Sequence, residues 1–441
     1  MNNFTFQNCL PPMTASAGPS LPGRAIRRAL LAAVACIAAW PALQVRAGEV
    51  EVLHYWTSGG EARALDTLKR AVQERGNRWK DFAITGGGGD WAMSMLKSRV
   101  LAGNPPAAAQ IKGPAIQEWA QLGVLANLDS LAQDERWDSL LPKVVADTMK
   151  YKGSYVAAPV NVHRVNWMWV NPGVLQRAGV AEAPRTWDEF FIAADKIAAA
   201  GLIPLAHGGQ NWQDFTMFET VVLGTAGASF YQEAFVQLSP AALTSDTMRN
   251  ALEVFRRLKR YTDAGSTGRD WNATTAMVMD GKAAFQFMGD WAKGEFIAAG
   301  KVPGKDFLCI AAPGSANAFT FNIDSFAMFK LKSPEAQKAQ SYLASAMMGQ
   351  EFQEAFNLAK GSIPARQQMK MNKFDICAKA SERDFVSAAK NGRLVPSVSQ
   401  GMAAPPAVEA AFKDIIGRYW NDDRITADAA AKAMLDASRK K

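Results

Sequence analysis

Residues 49–56, EVEVLHYW, alternate polar and apolar side chains and are rich in β-formers, which predicts a strand with one face on a core. The segment that follows, EARALDTLKRAVQERG (61–76), sets Leu65, Leu68 and Val72 three and four residues apart and stops at Gly76, which predicts an amphipathic helix. The cycle then repeats. WKDFAITGGGG (79–89) reads as a strand closing on four glycines, and DWAMSMLKSRVLAG (90–103) as a helix ended by Gly103 and NPP. AAAQIKG (107–113) is a third, short strand, and PAIQEWAQLG (114–123) a helix with proline in its first turn. This βαβαβα order calls for a mainly parallel sheet with helices on both faces.

The texture changes at GSYVAAPVNVHRVNWMWVN (153–171), an extended run of mixed polarity that suits strands passing between lobes. Thr186 followed by Glu189 three residues on is a capping box at the head of TWDEFFIAADKIAAAG. Strand-helix alternation continues through IPLAHGG, DFTMFETVVLG and TMRNALEVFRRLKRYTDAG. AMVMDGKAAFQFMGDWAKGEF (276–296) predicts helix, turn, apolar strand and then a loop bearing Trp291. FTFNIDSFAMFK (319–330) reads as two alternating strands around NID, and most of the remaining chain to Lys441 as helix.

The N-terminus follows another pattern. Arg24, Arg27 and Arg28 precede the apolar run ALLAAVACIAAW (29–40), Pro41 breaks it, and Val45-Arg46-Ala47 offers a small-residue cleavage site. These are the three regions of a secretory signal peptide, expected to span residues 1–47. The run falls short of the roughly 20 residues needed to cross a bilayer. Removing the leader takes away four arginines and no acids, leaving 45 basic against 41 acidic residues. That mild surplus, with no basic block interleaved with aromatics, gives no reason to expect nucleic acid as a partner. With 49% hydrophobic and 20% charged residues, the exported chain has the composition of a soluble globular protein.

Export also bears on the cysteines. Cys309 and Cys377 are the two that follow the leader, and an oxidising compartment favours a disulfide between them, with two buried thiols as the alternative. The histidines, His54, His163 and His207, lie far apart without metal-ligand spacing, so no metal or other cofactor is expected. Signatures of catalysis are missing as well: no G-x-S-x-G elbow, H-E-x-x-H, P-loop lysine or C-x-x-C occurs. A carboxylate pair for glycoside hydrolysis is compatible with the sequence, because such pairs meet only in the fold. Tryptophans instead stand out. Trp56 precedes TSGG, Trp271 follows GRD and Trp291 lies in GDW, each beside turn residues or a carboxylate. Flat aromatic faces with charged neighbours suit a sugar ring and its hydroxyls, although each tryptophan alone is as readily explained by core packing.

Several segments together, HYWTSGGE, AITGGGGDWAMSMLKSRVLAGNPPAAAQIKG, VNVHRVNWMWVNP, AMVMDGKAAFQFMGDWAKGEF, FNIDSFAMFK and AKGSIPAR, resemble the glucose- and mannose-type solute-binding proteins of bacterial ABC sugar importers, in order and over the whole exported chain. The resemblance implies a two-lobed α/β periplasmic binding protein fold, each lobe a mainly parallel sheet flanked by helices, with the ligand cleft between lobes. Residues 48–160 and 320–350 would form lobe 1, and 161–319 and 351–441 lobe 2. The expected ligand is a monosaccharide, glucose first, captured in the periplasm and delivered by a monomer to an inner-membrane permease; a chemoreceptor is a further conceivable partner. Carried over by residue, Tyr55 and Trp56 would lie beside the ring, Glu61 would accept from hydroxyls, and Lys112 would donate. Trp271 and Trp291 would wall the opposite side, and Asn322, Asp324 and Lys360 would bond the remaining hydroxyls. Two positions depart from the pattern: Tyr55 stands where many relatives have a second tryptophan, and Gln400 where tight glucose binders have a histidine. The residues have plainer readings too: Ser58 to Glu61 is a capping box, Asn322 and Asp324 suit a turn, and Lys112 and Lys360 suit solvent. A secreted glycoside hydrolase and an oligosaccharide binder of the same fold are the competing functions.

Overall fold

The computed structural model describes residues 48–85 and 89–439; the expected leader and glycines 86–88 lie outside them. The first predicted strand forms as Glu49–His54, with Val50, Val52 and Leu53 fully buried. It pairs in parallel with Arg78–Ala83, in register from Glu49 opposite Arg78 to His54 opposite Ala83, and on its other side with Ala108–Gln110. Helix Gly59–Gln73 covers this sheet through Leu65, Leu68 and Val72, the residues whose spacing predicted it. Two further strands complete a five-stranded sheet, Ser325–Met328 beside Ala108–Gln110 and Ala157–Pro159 at the edge. Ser325–Met328 is antiparallel to both of its neighbours, so it alone runs against the other four strands of an otherwise parallel sheet, as expected. It enters from chain that returns from the other half of the molecule.

A second, four-stranded sheet has the order Leu308–Ala311, Trp167–Val170, Ala283–Phe287, Ile203–Leu205. Only its last pair is parallel. It has its own core, in which Phe190, Phe215, Phe218, Phe255 and Phe285 are fully buried. Three short strands join the halves: Phe319–Asn322 pairs in parallel with Leu394–Pro396 and antiparallel with His163–Arg164. Phe319–Asn322 leads within three residues into Ser325–Met328 of the first sheet. The chain thus crosses at 159–163, again at 322–325, and a third time between Ala388 and Val395.

Two expectations about local structure are corrected. Trp291 opens a helix, Trp291–Ala298, rather than sitting in a loop. Its predecessor Asp290 holds the cap position without a side-chain cap, its carboxylate being taken by His163 and the Arg164 amide. Further on, Phe352, Phe356, Phe374 and Phe385, placed by the sequence reading in the second lobe, are buried in the core of the first sheet. Helix Gln350–Lys360 packs there on helix Gly59–Gln73. The second core takes over only from Val395.

Cys309 and Cys377 are disulfide-bonded, with Cα atoms 5.9 Å apart. The bridge ties an edge strand of the second sheet to helix Ile376–Lys390, whose Phe385 lies in the first core. Among the described residues no helix is long and apolar enough to cross a membrane.

Candidate functional site

The first strand ends at His54, and Tyr55, Trp56 and Thr57 carry the chain over its carboxyl end into helix Gly59–Gln73, where open α/β sheets gather their ligands. A cavity of about 270 Å³ lies there, and Tyr55, Trp56, Glu61, Lys112, Trp271, Trp291, Asn322, Asp324, Lys360 and Gln400 all line it. The ten residues singled out in the sequence therefore meet at one place. Its volume is at the small end of the roughly 300–1,000 Å³ usual for small-molecule pockets.

The first wall is built by the opening turn of helix Gly59–Gln73. The Ser58 amide donates to Glu61 Oε2 at 3.4 Å, so the capping box forms. Glu61 does a second thing at the same time: its Oε1 accepts from Lys360 Nζ at 2.8 Å. Trp56 is 2% exposed and packs edge-on to Phe326, ring centroids 5.5 Å apart, and against Phe356 at 5.3 Å. Most of that indole is core, and only its margin reaches the cavity. Tyr55 is the more available ring. It lies flat against Gly89, where a β-carbon would come within 2.7 Å of Tyr55 Cε1, so the glycine at φ 85° is required for contact as well as conformation.

The opposite wall is aromatic. Trp291 stands edge-on to His163 at 5.3 Å and tilted to Trp212 at 6.4 Å, while Trp271 begins helix Trp271–Met279. A β-carbon at Gly289 would overlap the Trp291 ring at 2.2 Å, so the indole folds back over its own turn.

The floor is the crossing region. His163 bridges two carboxylates, Asp290 through Nδ1 and Asp324 through Nε2, the latter at 2.8 Å. Asp324 Oδ2 also accepts from Asn161 Nδ2 at 3.1 Å, and its Oδ1 from Asn322 Nδ2 at 3.3 Å. Asn322 Oδ1 is buried with no partner in the protein, an acceptor held ready for a donor from outside. Burial opposes a charge on Asp324, yet His163, Lys112 and Lys360 hold its pKa well below the usual carboxylate range. Burial likewise opposes protonation of His163, and the two aspartates overcome it and raise its pKa. Burial lowers the Lys112 pKa to about 8. Lys112 lies 5.6 Å from the Tyr55 ring centroid and donates to Gln400 Oε1 at 3.3 Å. The cavity thus presents fixed acceptors, fixed donors and flat aromatic faces. Among the described residues no group of three or more His, Cys, Asp or Glu side chains is placed to hold a metal ion.

Residues 80–347 match the family described as bacterial extracellular solute-binding protein. The chain belongs to this family. It is 47% identical over 386 residues to a "Probable sugar-binding periplasmic protein" of Brucella melitensis, covering 88% of this chain and 91% of the relative. A protein of the same name from Rhizobium meliloti is 47% identical over 401 residues, covering 90% and 96%. Among solved structures, a chitin oligosaccharide binding protein superposes with a TM-score of 0.75 at 18% identity, over 89% of this chain and 98% of that one, a likeness of fold. As a member of the solute-binding family, the chain is a binding protein and not an enzyme.

This solute-binding protein also brings into the cavity residues that the sequence reading passed over: His163, Trp212, Thr85, Asp270 and Asn272. Trp212 carried the same signature as Trp271 and Trp291, polar neighbours on both sides in QNWQD. His163 was weighed only as a metal ligand; its two aspartates are 127 and 161 residues away in sequence, so nothing local marks it.

Proposed function

We propose that this protein is the sugar-binding receptor of a bacterial ABC importer, working in the periplasm and taking one monosaccharide, glucose first, at the cavity above. The observation that carries the reading is the pairing of a tryptophan wall with a charged, hydrogen-bonding floor in a cavity of about 270 Å³. Ring C–H faces lie on the indoles, while Asp324, Lys112, Lys360, Asn322 and Gln400 exchange hydrogen bonds with hydroxyls. In a buried site each such bond discriminates strongly against an epimer that leaves a polar group unpaired. The names of the 47% identical relatives support the ligand class, and the small volume supports one ring over a chain of them. The lobes open and close about the crossings at 159–163 and 322–325. The closed, loaded monomer then docks on its inner-membrane permease.

The test is a thermal-shift and calorimetric panel on the exported chain with glucose, mannose, galactose, xylose, cellobiose and maltose. A ligand that binds only the folded state raises the melting midpoint by mass action. The reading expects one-to-one binding, strongest for glucose, with no product formed. Absence of a shift with every sugar would refute it, and preference for a disaccharide would replace the monosaccharide.

A further inference from the structure

Gln400 enters the cavity from a loop that follows strand Leu394–Pro396. Beneath that loop lies Glu219, fully buried in helix Asn211–Tyr231 and without a cation bonded to it. Its Oε1 accepts from Ser397 Oγ at 2.6 Å and from Ser399 Oγ at 2.8 Å. Its Oε2 accepts from the Val398 amide at 2.7 Å, the Ser399 amide at 3.4 Å and Tyr231 OH at 2.8 Å. The two amides can only donate, while Tyr231 OH shares its one proton between Glu219 and the Pro396 carbonyl at 2.9 Å. The two serines in turn hold Gln400: its backbone amide donates to Ser397 Oγ at 3.2 Å and its Nε2 to Ser399 Oγ at 3.3 Å. We infer that Glu219, which does not reach the cavity, is the positioning residue that fixes which way the Gln400 carboxamide faces and so helps set sugar selectivity.

Hydrogen-bond polarity sets the direction of each of these contacts. A carboxylate only accepts, and each serine hydroxyl has one proton. With that proton committed to Glu219, Ser399 Oγ can only accept from Gln400, which obliges Nε2 to turn toward the serine. Oε1 must then face the cavity side, where it meets the Lys112 ammonium at 3.3 Å. The loop has no room to adjust by sliding, since a β-carbon on Gly113 would meet Gly401 O at 2.3 Å.

Glu219→Gln separates this from a merely structural role. The backbone N–H groups of Val398 and Ser399 cannot reverse, so the new carboxamide must give them its oxygen and turn its NH2 toward the serines. Their protons then swing outward, Gln400 is driven to flip, and an N–H group is set against Lys112. The inference rests on the cavity being the sugar site, so two readouts are used. In the absence of sugar, NMR titration of Lys112 should find its midpoint, about 8 in the native protein, lowered, because the charged form loses an acceptor; an unchanged midpoint overturns the proposal. In a double-mutant cycle with Gln400→Ala, Glu219→Gln should weaken binding of the preferred sugar by about tenfold in the native background and hardly at all once Gln400 is gone. Equal losses in both backgrounds overturn it. Ser399→Ala in the same cycle serves if Glu219→Gln does not fold. Native protein that binds no sugar, with a lowered Lys112 midpoint in the variant, would reject the reading of the cavity and keep the relay.

Discussion

Lys360 Nζ lies 2.8 Å from Glu61 Oε1 and 5.5 Å from the centroid of the Trp56 ring. The pair joins the last turn of helix Gln350–Lys360 to the first turn of helix Gly59–Gln73, with the lysine side chain 3% and the glutamate side chain 13% exposed. Removing one member of a buried ion pair leaves the other uncompensated, typically at a cost of about 3–5 kcal/mol. Lys360→Met should therefore lower stability by an amount of this order and abolish tight sugar binding. The double variant Lys360→Met/Glu61→Gln should regain most of the stability and none of the affinity. Denaturant melts and calorimetry on the three proteins check both parts.

Asp324 is the most connected carboxylate of the cavity. Asp324→Asn removes the charge that His163, Lys112 and Lys360 surround while keeping the shape. Affinity for the preferred sugar should fall by about a hundredfold, in line with the 2–3 kcal/mol of a charged hydrogen bond, and calorimetry measures it. Retained affinity would move the hydroxyl-binding role elsewhere.

His163 gives a pH dependence of defined sign. Its pKa is raised in the folded protein, so its contribution is fully present below the unfolded value near 6.5 and is lost as pH rises through the folded one. Asp324 works the other way: its pKa is depressed, so its contribution is present above the unfolded value near 3.8 and fades as pH falls below it. Glu409 and Lys112 also titrate near neutrality, at about 7 and about 8. The readout is therefore a difference: the melting-point gap between the native protein and His163→Gln should narrow as pH is raised from 6 upward. A gap independent of pH would mean that His163 does not carry the charge.

Much of this was legible beforehand, and the residues show why. Gly59–Gln73 formed where its 3.6-residue period put it, because it buries one face against the sheet. Glu49–His54 formed as a strand although Leu53 is buried on the face opposite Val50 and Val52. The cavity residues could be gathered because the family resemblance carried them over by position; of these, only the tryptophans also stood out by their turn and carboxylate neighbours. Whether each one touches sugar is for the variants to decide. What the sequence hid was long-range. Phe352 and Phe385 have the same local pattern whichever core they enter, and only the packing of helix Gln350–Lys360 on helix Gly59–Gln73 decides it. The bond between His163 and Asp290 likewise has no local trace.

The disulfide links sequence-distant elements of both halves. By loop-closure entropy a 68-residue loop is worth at most about 4 kcal/mol. Cys309→Ser/Cys377→Ser should lose about 2–4 kcal/mol of stability in denaturant melts. Sugar affinity should change by less than a few-fold, because neither sulfur lines the cavity.

Gly294 tests the seam between the halves. A β-carbon there would come within 2.9 Å of the Lys360 carbonyl oxygen and 3.1 Å of that of Ala359. Gly294→Ala must move two helices apart, and it should weaken sugar binding more than it lowers the melting midpoint, which paired calorimetry and thermal melts measure.

Helix Trp291–Ala298 carries four obligations in its first five residues. Trp291 walls the cavity, Lys293 bonds Asp375 at 2.9 Å, Gly294 lies against Lys360, and Glu295 Oε1 accepts from Ser58 Oγ and the Gly60 amide, each at 2.8 Å. A helix pinned on three sides has almost no freedom to rotate its indole alone. Evolution toward a larger sugar at this wall therefore cannot proceed by enlarging one pocket residue at a time. It must first loosen the joint between the halves, so the size of the ligand and the ease of its release are inherited together.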